Sequence, residues 1–217
     1  MPGAQPGELP NDLGSQRHHI LIVGKSFSGI KAYLSERGYD FTVLQDRATT
    51  TFPDKKFKNR IVVDFTDQDS ILSAVNALHA KKPIDGLLAT YEQYIRSTAD
   101  IAHHLGLPGL SREAAAACTD KELMRQKFAL APEKISPAFK AVSDENELLE
   151  FARNHHFPLI LKPANLSKSL LVTKNSSHEE LLANYQKAIG LIGGVYKKYA
   201  PNSQPKLIVE ELLEGPT

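Results

Sequence analysis

Short, wholly apolar runs alternate with helix-like segments through the first half of this chain, and that rhythm limits the folds it can adopt. Residues 20–23 form one such run and end at Gly24, as expected for a strand buried on both faces of a parallel sheet. Similar runs follow at 41–44, 61–63 and 86–89, with amphipathic segments between them. Strand, helix, strand in this order predicts a doubly wound, Rossmann-like α/β domain over residues 18–110.

The balance of charge argues against two classes of partner. Lys plus Arg total 26 against 25 for Asp plus Glu, so neither nucleic acid nor an anionic membrane is predicted to bind. The basic cluster near Lys55 is interpreted as a solvated loop face. No apolar stretch approaches the roughly 18 residues of a membrane-spanning helix. Residues 1–17, rich in proline and glycine without an apolar core, are predicted to be a disordered tail rather than a signal peptide.

A single cysteine, Cys118, excludes an internal disulfide and suits a reducing, cytoplasmic location. It follows the alanine run 114–117, and we expect a buried thiol that behaves as a small hydrophobe. No local motif marks it as a nucleophile.

The pattern changes near residue 110. Residues 111–137 are predicted to be a helical linker, in which Ser111 is an N-cap and Thr119-Asp120 offers a second cap. Residues 138–217 form a different unit. Its strands are predicted at 139–142, 158–162, 170–173 and 206–210, and its helices at 143–155 and at 177 to about 190.

Lys162 ends an apolar strand and is followed by Pro163, which stops the strand. An ammonium group at that place needs a compensating anion, either a ligand phosphate or a carboxylate of the protein. The polar loop Ser167-Lys168-Ser169 follows. Its hydroxyl and ammonium groups suit a loop that covers phosphates, although simple solvent exposure explains them as well.

The turn after the first strand is a candidate for anion or substrate binding, since open α/β sheets bind ligands at the carboxyl ends of their strands. A tight turn explains it equally. We name the candidates the substrate rim; they are Gly24, Ser26, Ser28, Gly29 and, after the fourth strand, Glu92. The turn matches neither G-x-G-x-x-G nor the P-loop, which disfavours a dinucleotide-binding enzyme.

Several motifs then occur in a telling order. F-P-x-x-x-K-P begins at Phe157, a polar loop and Val-Thr follow, Glu-Glu-Leu begins at Glu179, and V-E-E-x-L begins at Val209. Upstream, L-P-G begins at Leu107 and D-K-x-x-x-R at Asp120. Over residues 18–217 this order resembles the ATP-grasp proteins. The resemblance implies a pre-ATP-grasp α/β domain followed by the first α+β lobe of an ATP-grasp domain.

The resemblance also implies roles for individual residues. The lysines would contact ATP phosphates, the polar loop would cover them, Glu210 would accept from the adenine amino group, and the backbone at 211–213 would complete that edge. The implied ATP-binding residues are Lys121, Lys162, Ser167, Lys168, Ser169, Glu210, Glu211 and Leu213. From the residues alone, Lys121 is equally a surface lysine, and Glu210 with Glu211 an exposed strand end.

The implied activity is ATP-dependent ligation of a carboxylate, or bicarbonate, to an amine through an acyl phosphate, as in carbamoyl phosphate synthase, biotin carboxylase and amino acid ligases. ATP is the implied cofactor, and a small carboxylate and possible further copies of the chain are the implied partners. Mg²⁺ ligands and other catalytic groups belong to a second lobe, so no metal ligand or catalytic residue is assigned here. We expect a fragment that binds ATP weakly or not at all. The alternative is a non-catalytic nucleotide-binding or interaction domain.

Overall fold

A computed structural model describes residues 17–25, 27–47, 59–133, 135–200 and 203–213. These residues divide into two compact units. The first comprises residues 17–91 with His104–Pro108, and the second comprises Glu92–His103 with the residues from Gly109 onward. The predicted tail lies almost wholly outside the described residues, as does Lys55. The domain limits inferred from sequence stay predictions.

The first unit contains a four-stranded parallel sheet of order β3-β2-β1-β4. Its strands are β1 (His19–Val23), β2 (Asp40–Asp46), β3 (Arg60–Val63) and β4 (Gly86–Ala89), and its helices are α1 (Ser28–Glu36) and α2 (Gln68–Lys81). Leu21, Ile22 and Val23 are completely buried, as the apolar run predicts for a central parallel strand. The predicted α/β fold class is confirmed.

The second unit begins with a 3₁₀ turn at Glu92–Tyr94, and three helices follow: α3 (Ile95–Leu105), α4 (Arg112–Thr119) and α5 (Lys121–Phe128). Both predicted N-caps are present. The Ser111 hydroxyl accepts from the N–H of Ala114, and the Asp120 carboxylate accepts from the first N–H groups of α5. The expected burial of Cys118 is wrong, because the thiol lies on the exposed face of α4.

A four-stranded antiparallel sheet of order β5-β8-β6-β7 completes this unit. Its strands are β5 (Phe139–Val142), β6 (Leu159–Pro163), β7 (Thr173–Asn175) and β8 (Leu207–Glu211), and its helices are α6 (Glu145–Arg153) and α7 (His178–Tyr199). Leu159, Leu161 and Val209 pack with both helices into one core. That core covers one face of the sheet, and the residues that alternate with it on the strands lie on the opposite face.

Two sequence-based predictions in this unit are wrong. Residues 170–173 are not a strand: Lys168, Ser169 and Leu171 have φ of 64°, 54° and 55°, left-handed values that no strand contains, and pairing starts only at Thr173. The second helix does not end near Gly190 but continues to Tyr199. The buried side chains Ile192 and Tyr196 extend its apolar stripe, so packing outweighs the low helix propensity of glycine.

Candidate functional site

The candidate site lies on the face of the antiparallel sheet opposite to the hydrophobic core. Leu159 and Leu161 of β6 point into the core, so Lys162 lies on the other face at the carboxyl end of that strand. Val209 of β8 points into the core in the same way and leaves Glu210 on the face of Lys162. Period-two alternation therefore places both residues together across neighbouring strands.

Glu210 is the centre of a buried ion cluster. The Arg125 Nε donates to Glu210 Oε2 at 3.0 Å, and its Nη2 donates to Oε1 at 3.3 Å. The Lys162 ammonium also donates to Oε1. The exposed fractions of the three side chains are 7% for Glu210, 17% for Arg125 and 14% for Lys162. One carboxylate therefore offsets two cations that are largely removed from water.

Lys121 lies beside this cluster without a carboxylate of its own. Its ammonium donates to the carbonyl of Leu166 at 2.7 Å and more weakly to that of Ala164 at 3.4 Å. None of the ion pairs between described residues includes it. Burial lowers the pKa of Lys121 and the nearby Lys162 lowers it further, whereas the carboxylates of Glu92, Asp120 and Glu210 oppose this lowering without cancelling it. The Lys121 charge is thus incompletely compensated.

Two cations, Arg125 and Lys162, thus contact one carboxylate directly, and a third, Lys121, donates to backbone carbonyls beside them. A carboxylic acid ligand would balance part of that charge, and a polyphosphate would balance all of it. The donor set consists of ammonium and guanidinium groups, which match phosphate oxygens. The residues present therefore fit the phosphate groups of a nucleotide such as ATP.

The polar loop begins next to Lys121. Leu166, whose carbonyl accepts from the Lys121 ammonium, directly precedes Ser167, Lys168 and Ser169, which are all exposed. The loop contains no glycine, yet Lys168 and Ser169 adopt the left-handed backbone that favours glycine. Two residues of this loop therefore have the positive φ that is typical of glycine, although neither is a glycine. Its role over phosphates stays a prediction.

The end of β8 holds the residues predicted to bind adenine. The Glu211 N–H donates to the Ala138 carbonyl at 3.0 Å, and its carboxylate accepts from the Ala138 N–H at 3.3 Å. The Leu213 side chain is 64% exposed. The Glu210 carboxylate accepts from Arg125 and Lys162. Glu210 is buried and is therefore not an exposed strand end. The adenine roles stay predictions.

The residues of the substrate rim are divided between the two units. Gly24 has a left-handed φ of 81°, and its N–H donates to the Leu44 carbonyl at 2.7 Å, which continues the pairing of β1 with β2. Ser28 and Gly29 open α1 in exposed positions, and Ser26 lies outside the described residues. Glu92 is exposed in the second unit. The rim assignment stays a prediction.

Sequence reasoning missed two charged residues of the site, Arg125 and Lys206. Arg125 appears in the quoted D-K-x-x-x-R motif without a role, although its spacing of four from Lys121 places both on one helix face. Lys206 donates to the Asp120 carboxylate at 3.0 Å and to that of Glu122. Its signal is the period of two, which continues from Glu210 back through Ile208 to Lys206.

The described residues, 17–25, 27–47, 59–133, 135–200 and 203–213, contain neither an evident metal site nor a membrane-spanning helix. No group of three or more His, Cys, Asp and Glu residues there is arranged to hold a metal ion. No helix there has the length and apolar character needed to cross a membrane.

The chain is similar to known proteins in both sequence and fold. Residues 35–109 match the family described as ATP-grasp N-terminal domain. The L-amino acid ligase of Bacillus licheniformis superimposes with a TM-score of 0.67 at 19% identity, over 94% of this chain and 46% of the ligase. The chain has an ATP-grasp fold. The resemblance found in the sequence motifs is confirmed.

Two further proteins are similar to this chain, one in structure and one in sequence. The biotin carboxylase domain of the Hydrogenobacter thermophilus 2-oxoglutarate carboxylase, a dimer bound to MgADP and bicarbonate, gives a TM-score of 0.62 at 15% identity, over 92% of this chain and 45% of that domain. The carbamoyl phosphate synthase large chain of Caldanaerobacter subterraneus subsp. tengcongensis is 23% identical over 159 residues, which cover 66% of this chain and 14% of the synthase. The chain thus spans about half the length of these solved ATP-grasp structures and a smaller part of the synthase.

Proposed function

We propose that this ATP-grasp chain supplies part of the ATP site of an ATP-dependent carboxylate–amine ligase. The observation that carries the proposal is the convergence of Lys121, Arg125 and Lys162 on a sheet face where Glu210 is the contacting carboxylate. A surface lysine forms ion pairs at little energetic cost, whereas partly buried and incompletely compensated cations are costly unless an anion binds. The motif order supports the identity of that anion as a nucleotide polyphosphate.

In the proposed site the ammonium groups of Lys121 and Lys162 hold the phosphates of ATP. Residues 167–169 close over them, and residues 210–213 meet the adenine edge. Arg125 keeps Glu210 in place when Lys162 turns from the carboxylate to a phosphate oxygen. The rim residues of the first unit, Gly24, Ser26, Ser28 and Gly29, are proposed to hold the small carboxylate.

The proposed reaction has two transfers. A carboxylate oxygen of the substrate bonds to the γ-phosphorus of ATP, and ADP leaves. An amine then attacks the acyl carbon, and inorganic phosphate leaves. Both steps accumulate negative charge on phosphoryl oxygens, which fixed cations stabilise without having to reorganise. The lysines are the groups of this chain that supply that stabilisation.

Nucleotide titration followed by amide NMR tests the nucleotide assignment. We expect ATP to shift the signals of Lys121, Lys162 and Glu210 with weak affinity, because these residues provide only part of a site. NAD should give smaller shifts, since it carries two phosphates and lacks a terminal one. Equal shifts with NAD, or ATP shifts confined to residues away from this sheet face, would exclude the proposal.

A turnover assay tests the extent of the proposal. The resemblance assigns Mg²⁺ and the remaining catalytic groups to a second ATP-grasp lobe. We therefore expect the 217 residues alone, given ATP, Mg²⁺, carboxylic acids and hydroxylamine, to form no hydroxamate above background. Appreciable hydroxamate would show that this chain holds a complete active site. The cytoplasmic location and a homo-oligomeric state are likewise predictions.

A further inference from the structure

Lys206 lies where three segments of the second unit meet. Its ammonium donates to the carboxylates of Asp120 and Glu122 at the start of α5. Its backbone carbonyl accepts from the N–H of Ala164 at 2.9 Å and from the hydroxyl of Tyr196 at 3.3 Å. Lys206 thus bonds to α5, to the segment after β6 and to α7.

The segments that Lys206 joins are the two that hold Lys121. Asp120 caps α5 one residue before Lys121, so the Lys206 ammonium fixes the helix start. Ala164, which donates to Lys206, accepts in turn from the Lys121 N–H at 2.8 Å. The Lys121 ammonium then donates to the carbonyl of Leu166. Lys206 therefore contacts directly the two groups that hold the backbone of Lys121, Asp120 and Ala164, whereas the Lys121 ammonium is held by Leu166, two residues after Ala164.

Tyr196 braces the same arrangement from the core. Its hydroxyl donates to the Asn165 side chain and to the Lys206 carbonyl. The Tyr196 ring is 2% exposed, so α7 presents a rigid support to the 164–166 segment. The contacts of Lys206 with both carboxylates are ion pairs, whereas the contacts of Tyr196 are between uncharged groups.

We propose that Lys206 is a positioning residue for Lys121: its ammonium locks the start of α5 against the 164–166 segment and so aims the Lys121 ammonium across the phosphate face. The functional meaning of that aim rests on the proposed ATP site, whereas the positioning stands on the contacts alone. None of the described hydrogen bonds joins the Lys206 ammonium to Lys162 or Glu210, the residues of the sheet face that carries the proposed phosphate site.

The electrostatics of Lys206 agree with a permanent lock. Burial lowers the pKa of Lys206, but its hydrogen bonds to Glu122 and Asp120 outweigh burial and raise it. The side chain therefore keeps its charge at every pH at which Lys121, with its lowered pKa, begins to titrate.

Hydrogen exchange tests the positioning without any ligand. The variants are K206M, which removes the charge, K206R, which restores it, and K140M as a matched control. Lys140 lies on β5 of the same unit and pairs with Glu150 of α6 at 2.7 Å, and none of the described ion pairs joins its side chain to α5. In K206M we expect protection of the Lys121 N–H to fall about tenfold, with little change at amides in the middle of α7.

The pattern separates positioning from general stabilisation. A purely structural role would lower protection at Lys121 and in the middle of α7 by the same factor, and that result overturns the proposal. So does an unchanged Lys121 N–H in K206M. K206R should return protection to within about twofold of the original, and K140M should leave the Lys121 amide as it was.

A double-mutant cycle with inorganic tripolyphosphate then tests the link to the phosphate face. If Lys206 acts through Lys121, K206M weakens tripolyphosphate binding several-fold when Lys121 is present and has little effect in the K121M background. Equal weakening in both backgrounds overturns the proposal. Absence of tripolyphosphate binding by the original chain counts against the proposed ATP site, while the exchange experiment still decides the role of Lys206.

Discussion

Glu210 forms ion pairs with two cations while its side chain is almost completely buried, and we expect its substitution to destabilise the fold more than that of any other residue on this sheet face. Its pairing was only partly accessible from sequence. The alternation of β6 and β8 places Lys162 and Glu210 on one face. No sequence pattern shows that α5 packs there in a register that delivers Arg125 to the same carboxylate, because that register depends on tertiary packing.

We predict that E210Q lowers the free energy of unfolding of the second unit by about 3 kcal/mol, since it leaves two buried cations without a counter-ion. The comparison variant is E150Q, which removes a carboxylate that is 61% exposed beside Lys140. Water screens that pair, so its loss should be much smaller. Urea unfolding of both variants, followed by circular dichroism, measures the difference. Equal effects would show that the Glu210 cluster does not stabilise the fold.

The lowered pKa of Lys121 predicts a pH dependence with a defined sign. Burial disfavours the charged form in the folded state, so the energetic penalty is fully present below the lowered pKa and is relieved as pH rises through it toward the ordinary 10.5. A bound polyphosphate favours the charged form and should raise the Lys121 pKa. Its affinity should therefore fall as pH rises through the lowered pKa.

Lysine side-chain NMR across a pH titration, with and without tripolyphosphate, checks both statements. The Lys121 signal should titrate below those of exposed lysines in the free chain and should move upward when tripolyphosphate is added. Titration of Lys121 together with the exposed lysines, unaffected by the anion, would contradict its place in the site.

At the scale of elements, helix α7 and the loop before β7 account for the largest errors of sequence reasoning. Gly190, Gly193 and Gly194 suggest an early helix end, but buried residues on the opposite side continue the apolar stripe to Tyr196. The loop shows the reverse case, because the apolar residues after Ser169 suggest a strand that left-handed backbone excludes. In both places long-range packing, which no local pattern reports, determines the outcome.

The glycines of α7 yield a stability prediction. No atom lies within 4 Å of a methyl group added at Gly193, and the backbone there is helical. G193A should therefore stabilise the second unit by about 0.5–1 kcal/mol, because alanine loses less conformational entropy in a helix. Gly38 is the matched contrast: it also has open space, but its φ is 75°. G38A should destabilise by about 1 kcal/mol, because an L-residue is strained there. Thermal unfolding of both variants should show shifts of opposite sign, and shifts of the same sign would contradict the backbone argument.

At the scale of the whole molecule, the alternating apolar runs were sufficient to predict the parallel sheet, and the ordered motifs were sufficient to predict the ATP-grasp fold. The two lysines of the proposed phosphate site, Lys121 and Lys162, could be selected from the sequence because each sits near a defined end of an element, and their phosphate role stays a proposal. The supporting residues Arg125 and Lys206 were not, since each acts across more than 80 residues of chain. The activity of a protein that includes this chain depends on parts that the fold alone does not specify.

Lys162 and its neighbours are proposed to form a polyphosphate site on the sheet face. Tripolyphosphate titrations of the original chain, K162M and the control K140M, followed by amide NMR at low salt, test it most directly. The account predicts shifts centred on Lys121, Arg125 and Lys162, their loss in K162M, and unchanged binding in K140M. Equal weakening in the two variants, or shifts scattered over the surface of the chain, would contradict it.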